Sequence, residues 1–207
     1  MKIENKTILA IAPHLDDIEL GCFGSLHKLS SKNNIYYLNL SFPNNIGKED
    51  ILKNSVYKSL EMLSIPKENL ISYEYDTRDL YNVRSEILQN FYDVNKKINP
   101  DIIFIPSSYD IHQTHQVVHE EALRIFKNKT ILGYEFPWNN FSFKPDAFIK
   151  LSKENFEAKE EIISQFPSHG KNSFFENGII RDLANLRGKQ IGGEFAEAFE
   201  LIRLICE

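Results

Sequence analysis

Short apolar runs alternate with longer amphipathic segments over the first two thirds of the chain. The apolar runs are nearly continuous, which is typical of strands that are covered on both faces of a parallel sheet. They predict strands at Thr7–Ala12, Ile35–Ser41, Leu70–Tyr75, Asp101–Pro106 and Thr130–Tyr134. The intervening segments have apolar residues at helical spacing and predict helices at Glu19–Ser31, Asp50–Leu63, Val83–Ile98 and His115–Phe126. This alternation favours an α/β fold with a mostly parallel sheet and helices on both faces.

The last third of the chain has a different pattern. Ala147–Leu151 is short and apolar, as expected of one more strand, and Ser152 is a suitable N-cap for a helix over Ser152–Gln165. Asp182–Leu186 and Glu194–Ile205 are predicted to be helical as well. Because no repeat, low-complexity tract or linker interrupts the sequence, we expect residues 1–207 to form a single domain with a helical C-terminal extension.

The charge and composition of the chain indicate which kinds of molecule it is expected to bind. The chain has a net charge of −5 and no lysine- or arginine-rich stripe, which disfavours nucleic acid as the partner. No apolar run approaches the roughly 20 residues that a membrane span requires. The two cysteines, Cys22 and Cys206, and a polar N-terminus without a secretion signal favour a reduced, cytoplasmic protein. We therefore expect a small molecule as the partner, and the sequence leaves open whether copies of the chain form a homo-oligomer.

The run Ala12–Asp17 places polar residues directly after the first predicted strand. His14 and Asp17 are three residues apart and can bind one metal ion together, while Asp16 between them stays available as a general base. The alternative is an ordinary turn whose aspartates cap the helix that follows. Taken alone, this run does not separate the two interpretations.

A second cluster, Asp110–His115, follows the fourth predicted strand. His112 and His115 share one helical face with His119, where a lone histidine is usually structural. However, ligands of open parallel sheets bind at the edge where the carboxyl ends of the strands meet, so the two clusters can combine there. Together they favour a catalytic zinc site with water in a fourth position, and iron(II) suits the same ligands. Three residues are assigned as metal ligands: His14, Asp17 and His115.

Other residues have predicted roles around this site. His112 can stabilise an oxyanion and protonate a leaving amine, and Trp138 is the aromatic residue expected to contact a sugar ring. Asp110 either orients one of the histidines or caps the following helix. His119 either supports the metal ligands or is a surface residue. The remaining histidines are expected to have no part in the site: His27 and His169.

These motifs resemble those of the LmbE-like, or PIG-L, family of zinc-dependent N-deacetylases. The family's Ala-His-Pro-Asp-Asp-type motif corresponds to Ala12–Asp17, and its His-x-Asp-His motif corresponds to His112–His115. The late Gly188 and the stretch Phe195–Phe199 are similar as well. The resemblance extends over almost the whole chain, and it implies a Rossmann-like α/β fold and hydrolysis of the amide bond of N-acetylated sugars.

Carried over residue by residue, the resemblance implies the same roles that the chemistry of the residues indicates. His14, Asp17 and His115 would hold zinc. Asp16 would be the general base, and His112 would stabilise the oxyanion.

The chain departs from the family pattern in two places. Thr114 stands where the family usually has Asp, and the loss of that carboxylate should lower the tendency of His112 to be protonated. The helix predicted after the second strand lacks the Arg and Glu that often contact substrate in the family. Three residues are expected to replace them: Asp76, Arg78 and Arg84.

The sequence thus predicts a metal-dependent amide hydrolase of the N-acetylglucosaminyl deacetylase type, acting on an N-acylated amino sugar or its conjugate. Two alternatives stay open: a hydrolase of another amide or ester, and a sugar-binding homologue that Thr114 has deprived of turnover. A nucleotide-binding domain is disfavoured, because the carboxylates after the first strand would repel phosphates and no GxGxxG run is present.

Overall fold

The computed structural model describes residues 2–42, 49–166 and 178–206 of the chain. Its centre is a sheet of seven strands: β1 Thr7–Ala12, β2 Asn34–Phe42, β3 Leu70–Asp76, β4 Ile102–Pro106, β5 Thr130–Tyr134, β6 Ala147–Leu151 and β7 Phe195–Arg203. Six α-helices in the described residues surround the sheet: α1 Asp17–Ser30, α2 Glu49–Met62, α3 Arg84–Ile98, α4 Gln113–Ile125, α5 Lys153–Ser164 and α6 Ile179–Gln190. None of the described helices is long and apolar enough to cross a membrane.

The strands lie in the order β3-β2-β1-β4-β5-β7-β6, and β1 to β5 are parallel. The prediction of an α/β fold with a mostly parallel sheet is confirmed. Strand order reverses at β1, which pairs with β2 on one side and with β4 on the other. The loops that follow β1 and β4 therefore open side by side at the carboxyl edge of the sheet, where folds of this kind bind ligands.

Both faces of the sheet are covered, which explains the continuous apolar runs in the sequence. Every residue of β1 from Ile8 to Ala12 is fully buried. Ile8, Ala10 and Ala12 pack with residues of α1, α2 and α5. Leu9 and Ile11 pack with residues of α3 and α4 on the opposite face. The prediction of helices on both faces is confirmed.

The helix predicted for Glu194–Ile205 is wrong, because this segment forms β7, antiparallel between β5 and β6. Its Phe195 and Phe199 are four residues apart, which fits one face of a helix and also alternate positions of a strand. Its alanines and glutamates favour a helix. Tertiary packing decides for the strand, since Phe199 packs edge-on against Phe104 of β4 and Phe195 stacks on Phe156 of α5.

The helix α6 contains the predicted Asp182–Leu186 and is the helical part of the C-terminal extension. Arg187 of α6 donates through Nε and Nη2 to the carboxylate of Glu135, and both side chains are buried. Because Glu135 directly follows β5, this ion pair ties the extension to the edge of the sheet where the two predicted clusters lie.

The helix α1 lies close to β5 because Gly21 has no side chain. A Cβ atom at this position would lie 2.5 Å from Cδ2 of Tyr134, so a larger residue would push the helix away from the sheet. The Tyr134 hydroxyl donates to the carbonyl of Ile11 near the end of β1. These contacts fix the helix whose first turn carries Asp17.

Candidate metal centre

The structure brings together the two clusters predicted from the sequence. The turn between β1 and α1 contains His14, and Asp17 is the first residue of the helix. The first turn of α4, which follows β4, contains His115. Because β1 and β4 pair in the sheet, side chains that are 101 residues apart in the chain meet at its carboxyl edge.

Three side-chain atoms from these turns form a compact triangle. Nδ1 of His14 lies 3.1 Å from Oδ2 of Asp17, and Nε2 of His115 lies 3.4 Å from the same oxygen. The two ring nitrogens are 3.3 Å apart. Zinc binds nitrogen and oxygen at about 2.0–2.1 Å in a tetrahedron, which places neighbouring donor atoms about 3.3 Å apart. The triangle therefore has the size of one face of a zinc tetrahedron, and these residues fit the metal.

His112 offers a further nitrogen near this triangle. His14, His112 and His115 have ligand atoms that all lie within 4.8 Å of one another, so the geometry also allows a set of three histidines. Nδ1 of His112, however, lies 2.7 Å from the hydroxyl of Thr114, while Oδ2 of Asp17 completes the tighter triangle. The arrangement favours the two histidines and one carboxylate, with His112 beside them.

Asp17 and its two histidines interact strongly. Burial raises the pKa of Asp17, but the neighbouring His115 and His14 outweigh burial and hold the pKa well below its usual range. Burial lowers the pKa of His115, yet the charge of Asp17 and the hydrogen bonds to Asp110 and Asp17 raise it to about 10. The carboxylates thus attract one positive charge to this position, and either a proton or a metal cation can supply it.

Asp110 orients His115. Its Oδ2 lies 2.7 Å from Nδ1 of His115, and its Oδ1 accepts a hydrogen bond of 2.8 Å from the backbone N–H of His112. With Nδ1 held by this carboxylate, His115 presents Nε2 to the triangle, as metal-binding histidines commonly do. Of the two roles considered for Asp110, orientation of a histidine is observed, and the N-cap residue of α4 is His112.

The residues predicted to transfer protons and stabilise charge, Asp16 and His112, are close in the sequence to residues of the triangle. Asp16 is half-buried and is the N-cap residue of α1, but its side chain makes no capping hydrogen bond. The exposed His112 has its ring centroid 5.2 Å from that of His14 and 4.7 Å from that of His115. Partial burial of the ring and these two histidines lower the pKa of His112, and they outweigh the charges of Asp17 and Asp110, which raise it.

The hydroxyl of Thr114 contacts two rings of the site. Its Oγ1 lies 2.7 Å from Nδ1 of His112 and 3.1 Å from Nε2 of His14. The sequence marks Thr114 as unusual, but the contact with His14 joins residues 100 positions apart and has no local signal. Sequence reasoning also missed Asn139, whose amide donates to Oδ2 of Asp110 at 3.4 Å from the loop after β5.

Trp138, predicted to contact a sugar ring, lies in the loop after β5. It is half-buried and stacks on Phe136, with the ring planes 13° apart and the centroids 5.3 Å apart. Phe136 in turn packs against the ring of His115 at a centroid distance of 5.3 Å. An aromatic pair therefore connects Trp138 with the triangle.

The polar residues predicted to contact substrate lie in two settings. Asp76 is the last residue of β3 and Arg78 lies in the turn that follows; both are exposed, and Oδ1 of Asp76 accepts a hydrogen bond from the Arg78 backbone N–H. Arg84 is half-buried, and its guanidinium pairs with Glu120 and Glu121 of α4. The positive charge of Arg84 is therefore balanced by these glutamates at the contact between α3 and α4.

The remaining histidines have other partners or lie elsewhere. Nδ1 of His119 lies 2.9 Å from the carbonyl oxygen of Pro106, which joins α4 to the end of β4. Nδ1 of His27 contacts the side-chain amide of Asn155. His169 lies outside the described residues. His119 thus supports the position of α4, whose first turn carries His115.

The sequence is similar to a known protein family and to a curated bacterial protein. Residues 9–126 match the family model described as PIG-L: GlcNAc-PI de-N-acetylase. This match spans more than half of the chain and includes both clusters. YaiS of Escherichia coli, described as an uncharacterized deacetylase, is 28% identical over 174 residues, which cover 80% of this chain and 92% of that protein.

Solved structures share the fold at low sequence identity. The conserved protein TT1542 from Thermus thermophilus has a TM-score of 0.83 at 18% identity and covers 98% of this chain and 97% of its own. N,N'-diacetylchitobiose deacetylase from Pyrococcus horikoshii has a TM-score of 0.70 at 21% identity, over 94% of this chain and 83% of its own. GalB, the 4-carboxy-2-hydroxymuconate hydratase from Pseudomonas putida, has a TM-score of 0.74 at 15% identity, over 98% of both chains. A deacetylase and a hydratase thus share this fold, so the fold alone does not determine the reaction.

The family model therefore carries the assignment, because it matches the segment that holds the donor triangle. That segment includes His14 and Asp17 after β1 and His115 after β4. The chain belongs to the PIG-L family of deacetylases.

Proposed function

We propose that this deacetylase is a zinc-dependent hydrolase that removes the acetyl group from an N-acylated amino sugar or its conjugate. The observation that carries the proposal is the triangle of His14 Nδ1, Asp17 Oδ2 and His115 Nε2, whose edges of 3.1–3.4 Å fit one divalent ion. These residues would hold the zinc, which supplies a Lewis acid for the substrate carbonyl and makes the attacking water more acidic. Iron(II) is compatible with the same two-histidine, one-carboxylate set.

Asp16 is the proposed general base. It is half-buried and directly precedes Asp17, so its carboxylate can take a proton without being a ligand itself. The water oxygen forms a bond to the acyl carbon while the proton passes to Asp16. The C–N bond then breaks, Asp16 returns the proton to the amine nitrogen, and acetate and the free amino sugar leave.

His112 is proposed to stabilise the negative charge that develops on the carbonyl oxygen. Its exposed ring lies beside the rings of His14 and His115, and a ring N–H aimed at the oxyanion lowers the energy of the transition state. Burial and the two neighbouring histidines lower its pKa. We therefore assign it hydrogen-bond donation and leave the proton of the amine to Asp16.

The amino sugar is proposed to lie along Trp138, and the support for this is that Trp138 stacks on Phe136, whose ring packs against His115. Asp76, Arg78 and Arg84 are the proposed polar contacts for the sugar and its conjugate. Arg84 would exchange part of its pairing with α4 for a substrate contact.

We further propose that residues 1–207 act as a single domain in the cytoplasm. The described strands form one sheet, and the described β7 returns the end of the chain to that sheet. Cys22 is buried and Cys206 is exposed, and both are free thiols, as in a reducing compartment.

The test combines metal analysis with acetate release. The full chain is purified, analysed for metal, and assayed on a panel of N-acetylglucosamine conjugates beside Asp16→Ala. We expect one zinc per chain, and acetate release that is about 10²–10⁴-fold slower in the variant while its zinc content is unchanged. Full activity in Asp16→Ala, or after complete removal of metal, would overturn the proposal.

A sugar-binding protein without turnover is the second candidate, and Thr114 is the observation that favours it. A hydroxyl, in place of the carboxylate expected there, contacts Nδ1 of His112. This candidate predicts sugar binding in calorimetry, no release of acetate, and the same binding in Asp16→Asn. A hydrolase of another amide or ester would differ from both, because it would show turnover that depends on metal and Asp16 but on other substrates.

A further inference from the structure

A buried hydroxyl links a proposed metal ligand to the proposed oxyanion donor. Thr114 is 4% exposed and lies in the first turn of α4. Its Oγ1 lies 3.1 Å from Nε2 of His14 and 2.7 Å from Nδ1 of His112. These rings are the side-chain partners that the described residues offer this hydroxyl. Since a hydroxyl has one hydrogen to donate and two lone pairs, the direction of each bond can be worked out.

The metal triangle determines the direction of the first bond. His14 contributes Nδ1 to the triangle, 3.1 Å from Oδ2 of Asp17. When Nδ1 binds a cation, the neutral ring carries its one N–H hydrogen on Nε2. Nε2–H of His14 therefore donates to Oγ1 of Thr114.

The need to satisfy the hydroxyl determines the direction of the second bond. If Nδ1 of His112 also donated to Oγ1, the hydroxyl hydrogen of the buried Thr114 would lack an acceptor among these contacts, which costs free energy. If Nδ1 instead accepts, the Nε2–H of His14 and the hydroxyl hydrogen of Thr114 both have an acceptor. His112 then carries its own hydrogen on Nε2, the ring nitrogen that does not contact Thr114.

We infer that Thr114 is a positioning residue. Its hydroxyl accepts a hydrogen bond from Nε2–H of the proposed metal ligand His14 and donates one to Nδ1 of His112, so that His112 carries its N–H on Nε2. This inference rests on the proposed function, because it assumes a cation at Nδ1 of His14. It also gives the departure from the family motif a physical meaning. The Asp expected at this position has only acceptor oxygens when ionised, so it would take a hydrogen from Nδ1 of His112, whereas a hydroxyl gives one to it.

The inference is tested on the zinc-loaded full chain with Thr114→Val and Thr114→Ser. Valine keeps the branched shape and removes the hydroxyl, whereas serine keeps the hydroxyl. Three quantities are measured: the protonated ring nitrogen of His112, from long-range proton–nitrogen correlation spectra of histidine-labelled protein; zinc affinity, by competition with a chelator; and kcat and KM for acetate release. Thr130→Val is the matched control, because Thr130 is also buried but its hydroxyl contacts Ile205 at the opposite edge of the sheet.

In Thr114→Val we expect His112 to lose its preference for Nε2–H and zinc to bind about 10–100-fold more weakly. We also expect kcat to fall by a larger factor than the factor by which KM changes. Thr114→Ser should restore all three, and Thr130→Val should change none of them. An unchanged His112 spectrum in Thr114→Val overturns the inference. A serine variant that behaves like valine overturns it as well, because the methyl group and not the hydroxyl would then be responsible. The spectra and the zinc affinity need no turnover, so a wild-type protein without deacetylase activity would contradict the proposed function and leave this test intact.

Discussion

Two carboxylates of α1 lie two residues apart and are both buried, yet they differ in ionisation. Asp17 is 4% exposed and Glu19 is 0% exposed. Burial raises the pKa of each, but His115 and His14 bring the pKa of Asp17 well below its usual range. The pKa of Glu19 instead rises to about 8. At similar burial, Asp17 is therefore ionised at neutral pH, whereas Glu19 is mostly protonated and neutral.

The partners of the two carboxylates account for the difference. Oε1 of Glu19 accepts hydrogen bonds from the hydroxyls of Tyr37 on β2 and Ser59 on α2, which are neutral and only partly offset burial. Asp17 faces two imidazoles that carry or attract positive charge. Charged partners, and not burial, therefore distinguish a carboxylate suited to a metal from one that joins α1 to the core.

Exchanging each carboxylate for its amide should produce the largest difference between Asp17 and Glu19. Loss of a partner outside the metal shell costs about 10–100-fold in metal affinity. We expect Asp17→Asn to weaken zinc binding by more than this, because it removes the charge of a proposed ligand, and we expect acetate release to fall with the metal. Glu19→Gln should bind zinc like the wild-type protein. Chelator competition measures both affinities, and equal losses in the two variants would show that the two carboxylates are not separate in function.

Much of the fold can be predicted because β1 to β5 are buried on both faces and their apolar runs are bounded by polar turns. The segment of β7 is different. Phe195 and Phe199 fit either period, and only the pairing with β5 and β6 and the contacts with Phe104 and Phe156 select the strand. Such contacts join residues far apart in the chain, so a local pattern cannot predict them.

The site shows the same limit at the level of single residues. His14, Asp17 and His115 can be selected from the sequence because their residue types and their places after two strands agree with metal chemistry. The orienting role of Asp110 depends on which of two hydrogen bonds its side chain makes, and the contact of Thr114 with His14 depends on the pairing of β1 with β4. These roles appear only when the chain is folded.

Asp110 is a second carboxylate with an effect on the triangle, although it is not one of the three donors: it contacts Nδ1 of His115 from outside. Asp110→Asn can still contact Nδ1 of His115 but removes the charge that supports the ring, so we expect zinc affinity to fall about 10–100-fold. Asp101→Asn is the control, since Asp101 accepts a hydrogen bond from the Thr7 backbone at the opposite edge of the sheet. Chelator competition should detect no change in the control. An unchanged affinity in Asp110→Asn would mean that the charge on the outer partner does not matter here.

The last prediction concerns the stability of the fold, and not zinc affinity, and how that stability depends on pH through Glu19. Its folded-state pKa of about 8 lies above the reference value of 4.5, so the folded protein keeps a proton that the unfolded chain loses between these values. The free energy of unfolding should therefore fall as pH rises through this window, by on the order of a few kcal/mol from this residue. Glu19→Gln has no proton to lose.

Urea unfolding of wild type and Glu19→Gln at several pH values from 5 to 8.5 isolates this residue, because the other titrating groups are common to both proteins. The wild-type protein should lose stability relative to the variant as pH rises, even if the amide lowers stability at every pH. A constant difference between the two would mean that Glu19 is ionised in the folded state despite its burial. Neutral hydroxyl partners would then be sufficient to hold a buried charge, and the contrast with Asp17 would no longer depend on the charge of the partners.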